Sequence, residues 1–243
     1  MSEAFLLAML IFVAAILYSS VGHGGASGYL VAMALFSLAP EVMRPTALVL
    51  NILVASVGAF RFYRAGGFSW QVFWPFALGS IPFAFLGGTI SLPDQVYRQV
   101  LGVVLVFAAF RLIIHKSRDA NEIKTPPLLV AIALGAAIGL LAGLTGVGGG
   151  IFLTPLLLFA AWATSRQASG ISAAFILVNS IAGLGGQITK LQFLPGDIYL
   201  WGGAALLGSL IGTELGTRRL SSLAFRRLLA FVLIIASYKL IFT

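Results

Sequence analysis

The sequence predicts an all-α polytopic membrane protein of two inverted repeats, each a glycine-broken helical hairpin followed by three transmembrane helices. Three observations carry that expectation. Apolar residues make up 60% of the 243 positions and charged residues only 9%. A soluble domain averages about 25% charged residues, so this chain could not cover a water-facing surface, and lipid is the solvent that suits it. Apolar runs also recur along the whole length between short polar loops, and two of the longest are cut by clustered glycines.

The first run begins directly after Met1-Ser2-Glu3, which is acidic where a secretory leader would be basic. It therefore reads as a first membrane segment and not as a cleaved signal. The apolar segments fall at 4–21, 26–39, 44–62, 70–90, 95–113, 127–144, 148–162, 167–187, 197–217 and 223–242. The stretch 4–39 is too long for one span and is interrupted by Gly22-His23-Gly24-Gly25; the stretch 128–162 is interrupted by Gly146-Val147-Gly148-Gly149-Gly150. Each could be one through-going broken helix or a hairpin that turns at its glycines.

Loop charge decides between the two, because Lys and Arg concentrate in cytoplasmic loops. With two hairpins, one face receives Arg61, Arg64, Arg111, Lys116, Arg118, Lys124, Arg166, Arg218, Arg219, Arg226 and Arg227, while the other receives Arg44, Arg98, Lys190 and Lys239: eleven against four. With two single spans the split is eight against seven, which is no bias at all. Hairpins are expected, with both termini outside and 8–10 membrane segments in the cell inner (plasma) membrane, the hairpins either crossing fully or re-entering. The net charge of +8 is then a matter of topology and does not call for nucleic acid. Without cysteine, disulfides and thiolate metal sites do not arise.

The two halves resemble each other. YRQVLGVVLVFAAFRLI at 97–113 aligns without gaps to FRRLLAFVLIIASYKLI at 225–241, with seven of seventeen positions identical. The glycine breaks align as well, at an offset of 124, against 128 for the later helices; a four-residue excess within Lys190–Gly196 would account for the difference. Residues 1–115 form the first repeat and 128–243 the second, joined by a cytoplasmic linker, 116–127, the only sustained polar stretch. An odd number of crossings per half sets the halves in opposite orientations, as in many secondary transporters, whose sites lie at the midplane where discontinuous helices meet.

The candidate binding residues are those of the breaks and their surroundings: Gly22, His23, Gly24, Gly25 and Ser27 in the first half, Thr145, Gly146, Gly148, Gly149 and Gly150 in the second, and Asn51 and Asn179 within their spans. Consecutive glycines let several N–H groups converge without obstruction, and a helix that starts just after them adds the positive end of its dipole. Together they suit a small anion. Small residues also serve close helix packing, and an intramembrane Asn also serves as interhelical glue. Ser19, Ser20 and Thr154 are further polar residues near the breaks, and Ser172, Ser180 and Gln187 are weaker candidates. Glu214, near the end of its span, is expected to pair with Arg218. With no carboxylate at the centre of any span, the membrane potential is left as the driving force. No catalytic residue, metal or cofactor is expected. The expected partners are an anionic substrate and membrane lipid, with oligomeric state open and a homodimer one option.

The segment GLTGVGGGIFLTPLLL at 143–158, together with the broken helices and the related halves, resembles the TauE/SafE family of sulfite and organosulfonate exporters over nearly the whole chain. The first break departs from the second, since Ala26 replaces the third glycine of the run, His23 intrudes, and Tyr29-Leu30-Val31 lacks the proline found at Pro155. The resemblance implies transport of sulfur-containing or other small organic anions. Two other readings stand beside it. A passive anion channel in the same fold would share every feature above. Gly25-Ala26-Ser27-Gly28 matches the GxSG serine motif of rhomboid proteases, but a nucleophilic serine needs a base in reach, and His23 sits only four residues away across a glycine turn.

Overall fold

A computed structural model describes residues 3–114, 123–218, 234 and 238, and every regular element among them is helical. The order is α1 (Glu3–Ser19), α2 (Ala26–Leu35), α3 (Pro40–Arg64), α4 (Trp70–Thr89), α5 (Asp94–Ile114), α6 (Leu128–Thr145), α7 (Gly150–Phe159), α8 (Ser165–Gly186), a 3₁₀ helix (Ile188–Phe193) and α9 (Ile198–Arg218). Five of them, α3, α4, α6, α8 and α9, are long and apolar enough to cross a membrane by length and composition. The tenth expected segment, 223–242, and with it the second partner of the 97–113 alignment, lies outside the described residues except for Ile234 and Tyr238.

Both apolar stretches with glycine breaks double back. Gly28 of α2 lies against Ala14 and Tyr18 of α1, and Gly149 at the head of α7 lies against Ile138 and Ala142 of α6. The returning helices are shorter than the expected 26–39 and 148–162, at ten residues each. Ten residues make about 15 Å of helix, half of a roughly 30 Å hydrocarbon core. The reason is local. After α2 the chain turns at Phe36–Ser37, and Ala39-Pro40 opens α3 with proline in the first turn. After α7 the chain turns at Ala160–Ala161, and Thr164 caps α8 in a capping box with Gln167.

Glycine stripes fix how the long helices sit. Gly135, Gly139 and Gly143 of α6 face the backbone of Phe76, Ser80 and Ala84 of α4; Gly208, Gly212 and Gly216 of α9 face Phe12, Ile16 and Ser20. In each pair residue numbers rise together, so the two helices are parallel. A Cβ at any of these six glycines would fall onto a carbonyl oxygen of the neighbouring helix, and such close approach is what small residues in membrane helices allow. α3 and α8 run the other way: Leu48 is beside Gly183, Gly58 beside Ala173, and Phe62 beside Gly170. The 3₁₀ helix occupies the α8–α9 junction. At the linker's end, Lys124 N–H donates to Ala161 O at 2.8 Å, tying it to the α7–α8 corner.

Glu214 has a partner on another helix. It lies 3.4 Å from Arg61 Nη1 of α3, and the same Nη1 donates to Leu210 O at 2.7 Å and to Thr213 Oγ1 at 3.1 Å. The packing of α3 on α9 brings Arg61 to it, while the side chain of the expected partner, Arg218, lies outside the described residues. Both members of the pair are partly exposed, so it contributes at most about 1 kcal/mol.

The packing predicts a sharp contrast between two glycines. Gly139→Ala should lower the thermal unfolding temperature of the purified protein, at a cost of about 1–3 kcal/mol, the usual penalty of overpacking. Gly203→Ala, with open space around the new methyl, should leave it unchanged or slightly raised. Equal behaviour of the two variants in a thermal melt would contradict this account of the α4–α6 contact.

Candidate functional site between the glycine breaks

The two breaks meet at the middle of α3. Asn51, fully buried, accepts from the N–H of Ala26 through Oδ1 at 3.1 Å and donates from Nδ2 to Val147 O at 3.3 Å. One carboxamide thus holds the first residue of α2 with one end and the second break with the other. Gly24 and Gly148 both pack on Asn51, and both pack on Ile176 of α8. A Cβ on Gly148 would come within 2.7 Å of Asn51 Nδ2 and 2.9 Å of Ile176 Cγ2. Gly150 meets Ile176 as well.

The backbone at these points requires glycine. Gly25 and Gly149 adopt φ of 94° and 82° as the residues that precede α2 and α7, and Gly146 and Gly148 are at 80° and 81°. That left-handed region costs a residue with a Cβ roughly 1–2 kcal/mol. The first N–H groups of α2 and α7 have no acceptor within their helices. At α2 the Asn51 oxygen supplies one. At α7 the residue in the corresponding place is Ile176, which offers none, with Ser180 Oγ 3.2 Å from where a Gly148 Cβ would lie. Ser180 Oγ is buried and meets no partner among the described residues. Among the described residues a side chain thus accepts from the first N–H of α2, and none is shown to do so at α7.

The remaining candidates fall around this centre. His23 contacts Val21 O through Nδ1 at 3.2 Å and Thr154 Oγ1 through Nε2 at 3.3 Å, and Thr154 Oγ1 lies 2.7 Å from Ser172 Oγ. Since a carbonyl can only accept, Nδ1 carries a proton, and the chain runs from the first break through α7 to α8. Ser27 is buried at the start of α2. Gly22 abuts Ser169 of α8. Thr145 turns its hydroxyl to Leu141 O at 2.7 Å, and its carbonyl accepts from Tyr97 Oη at 3.0 Å. Asn179 is buried and donates to Phe175 O of its own helix at 2.8 Å, its Oδ1 meeting no donor among the described residues. The α8 residue that touches Gly24, Gly148 and Gly150 is Ile176.

Sequence reasoning missed Arg44. Counted there as a loop charge, it is a core residue, 4% exposed, donating to the carbonyls of Ile90, Gly87 and Gly143 at 3.1, 3.2 and 2.9 Å. Its guanidinium carbon sits 5.8 Å from the centre of the Tyr97 ring. The signal was present in Ala39-Pro40-Glu41, a helix start that places Arg44 inside the helix and not at its edge. Among the described residues no group of three or more His, Cys, Asp or Glu could hold a metal.

Comparison with known proteins agrees with this architecture. Over 244 aligned residues, 99% of both chains, the sequence is 40% identical to "Probable membrane transporter protein y4hK" of Sinorhizobium fredii. It is 25% identical to "Probable membrane transporter protein YjnA" of Bacillus subtilis, covering 90% of this chain and 92% of that one. It is 27% identical to "Probable membrane transporter protein MJ0441" of Methanocaldococcus jannaschii, covering 73% and 70%. No solved structure matches. Residues 7–240 match the family described as "Sulfite exporter TauE/SafE", and the chain belongs to that family of membrane transporters.

Proposed function

We propose that this protein is a secondary transporter that carries a small anion out of the cell, of the sulfite, sulfonate or related organic class, and binds it between the two glycine breaks. The observation that carries the reading is the Asn51 bridge. Two helices that start inside the apolar core aim their N-termini at one place, and a single neutral side chain holds both breaks there. A bilayer core tolerates irregular backbone where it is buried in protein or lines a cavity, and broken helices paired in this way mark the substrate site of several transporter folds. The contributing groups are Gly22, His23, Gly24, Gly25 and Ser27 on one side, Thr145, Gly146, Gly148, Gly149 and Gly150 on the other, with Asn51 and Asn179 from the long helices.

The inverted repeat belongs to the same reading. The described order in residues 128–218 follows that of 3–89: long helix, short returning helix, two long helices. The antiparallel course of α3 and α8, and the two parallel pairs α1–α9 and α4–α6, support opposite orientations of the halves. The cytoplasmic linker, both termini outside and the inner-membrane setting follow from the same loop-charge bias. Since no acidic group is available at a span centre, transport is driven by the potential, which works on each charge by about 2.3 kcal/mol per 100 mV.

Three measurements test this. Asn51→Leu leaves the Ala26 N–H and Val147 O without their partner, at about 1–3 kcal/mol for each buried group; it should lower the melting temperature and abolish flux, and wild-type flux with Leu at 51 would move the site elsewhere. In a melting panel of sulfite, sulfonates, thiosulfate and short carboxylates, a ligand should stabilise the protein by mass action. Gly148→Ala should erase that rise, and a rise of wild-type size would place binding outside the breaks. Finally, flux from anion-loaded liposomes should quicken when a potential negative on the loaded side is imposed, and a rate indifferent to potential would rule out uniport.

A further inference from the structure

Arg44 is a permanent cation buried in an apolar bundle, and among the described residues no carboxylate lies within 4 Å of it. A buried charge without a counter-charge is strongly destabilising unless something compensates it. Here the compensation is partial. Gly87 and Ile90 stand at the C-terminal end of α4, Gly143 in the last turn of α6, so their carbonyls belong to the unsatisfied, negative ends of two helices. Nη1 and Nη2 serve those three oxygens, while Nε, also buried, has no partner among the described residues.

Its position gives the arrangement a purpose. The backbone of Arg44 is the surface against which Gly146, the first residue of the second break, is packed. At the other break the corresponding contact is made by Ser169, one turn into α8, against Gly22. The residues whose backbones pack on the two breaks are therefore unlike: Ser169, its hydroxyl turned to Ser165 O, at the end towards Arg61, Arg64 and Arg166, and Arg44, its guanidinium on the ends of α4 and α6, at the opposite one. Tyr97 closes the group from α5, its ring under the guanidinium and its hydroxyl on Thr145 O.

We propose that Arg44 is an anion contact on the half of the path facing away from the basic loops, and that in this conformation it also bolts that half shut. It holds α3, α4 and α6 together through neutral carbonyls. An oxyanion arriving from the breaks offers the fork two charged acceptors, a stronger partner than two carbonyls. Exchange of carbonyls for anion then releases the ends of α4 and α6 as the anion moves on. The inference rests on the transport reading above and adds a specificity-determining residue to it.

The test uses the full chain in liposomes, with sulfite and ethanesulfonate as probes. Arg44→Gln should raise the half-saturating concentration at least tenfold. Arg44→Lys should raise it less, since charge remains while the fork is lost. Arg98→Gln, altering a partly exposed cation at the start of α5, should leave it unchanged. A half-saturating concentration within twofold of wild type in Arg44→Gln would overturn the proposal and reduce Arg44 to a clasp. Should Arg44→Gln fail to fold, modification of the wild-type protein by hydroxyphenylglyoxal, mapped peptide by peptide, decides: saturating anion should slow labelling of Arg44 and not of Arg98, and equal rates at Arg44 with and without anion would refute it. Wild-type vesicles that move neither probe would overturn the transport reading itself, a separate failure, with the labelling still deciding anion contact.

Discussion

The carboxamide of Asn51 is the constraint on which the rest of the structure depends. It has one acceptor and one donor end, and it meets one N–H at the head of α2 and one carbonyl in the second break. A leucine could do neither, and a serine would have to do both from one oxygen on a shorter side chain. In lipid those backbone groups have no water to turn to, so the bridge makes two interrupted helices tolerable at the centre of an apolar bundle. It also forces the breaks together, and every glycine with positive φ between residues 20 and 150 lies in one of them except Gly66, at the turn after α3.

Around that centre the bundle is assembled by close packing without large side chains. The α6 and α9 stripes repeat glycine every four residues and so present one flat face along several turns. Their partners, α4 and α1, approach until carbonyl oxygens occupy the space of absent methyl groups. Such contacts transmit displacement poorly by bending and readily by sliding, because close-packed interfaces switch between arrangements and do not deform continuously.

Much of this was legible in the sequence, for identifiable reasons. The apolar periods mark the helices, and α3, α4, α5, α6, α8 and α9 fall close to the segments expected, because a long, continuously apolar run satisfies its own backbone in lipid as a helix. The breaks were legible because clustered glycine is rarely neutral in a helix. Asn51 was visible as a buried amide, but its two partners were not, since they are 25 and 96 residues away. Ile176 was invisible in kind: nothing distinguishes one isoleucine among many until three glycines are found against it. The Arg61 partner of Glu214 was not legible, since it comes from another helix, 153 residues away.

Arg44 shows the limit most clearly, since loop-charge counting assumes that a cation near a span end lies in water. That assumption holds for Arg64, which is exposed at the end of α3, and fails for Arg44, one turn inside the same helix. Two helix C-termini converge there, and their spare carbonyls replace water as acceptors. A cation so held costs less than one in hydrocarbon but more than one in water, and the difference is retained in the fold. An anion-selective path can use that retained cost, because the group that is imperfectly satisfied at rest is the one best improved by the substrate, while a cation meets only repulsion. On the proposed reading, selectivity of this kind needs no deep affinity: the neutral amide at the centre and the partly satisfied cation towards one end would together let an anion enter, be held weakly and leave.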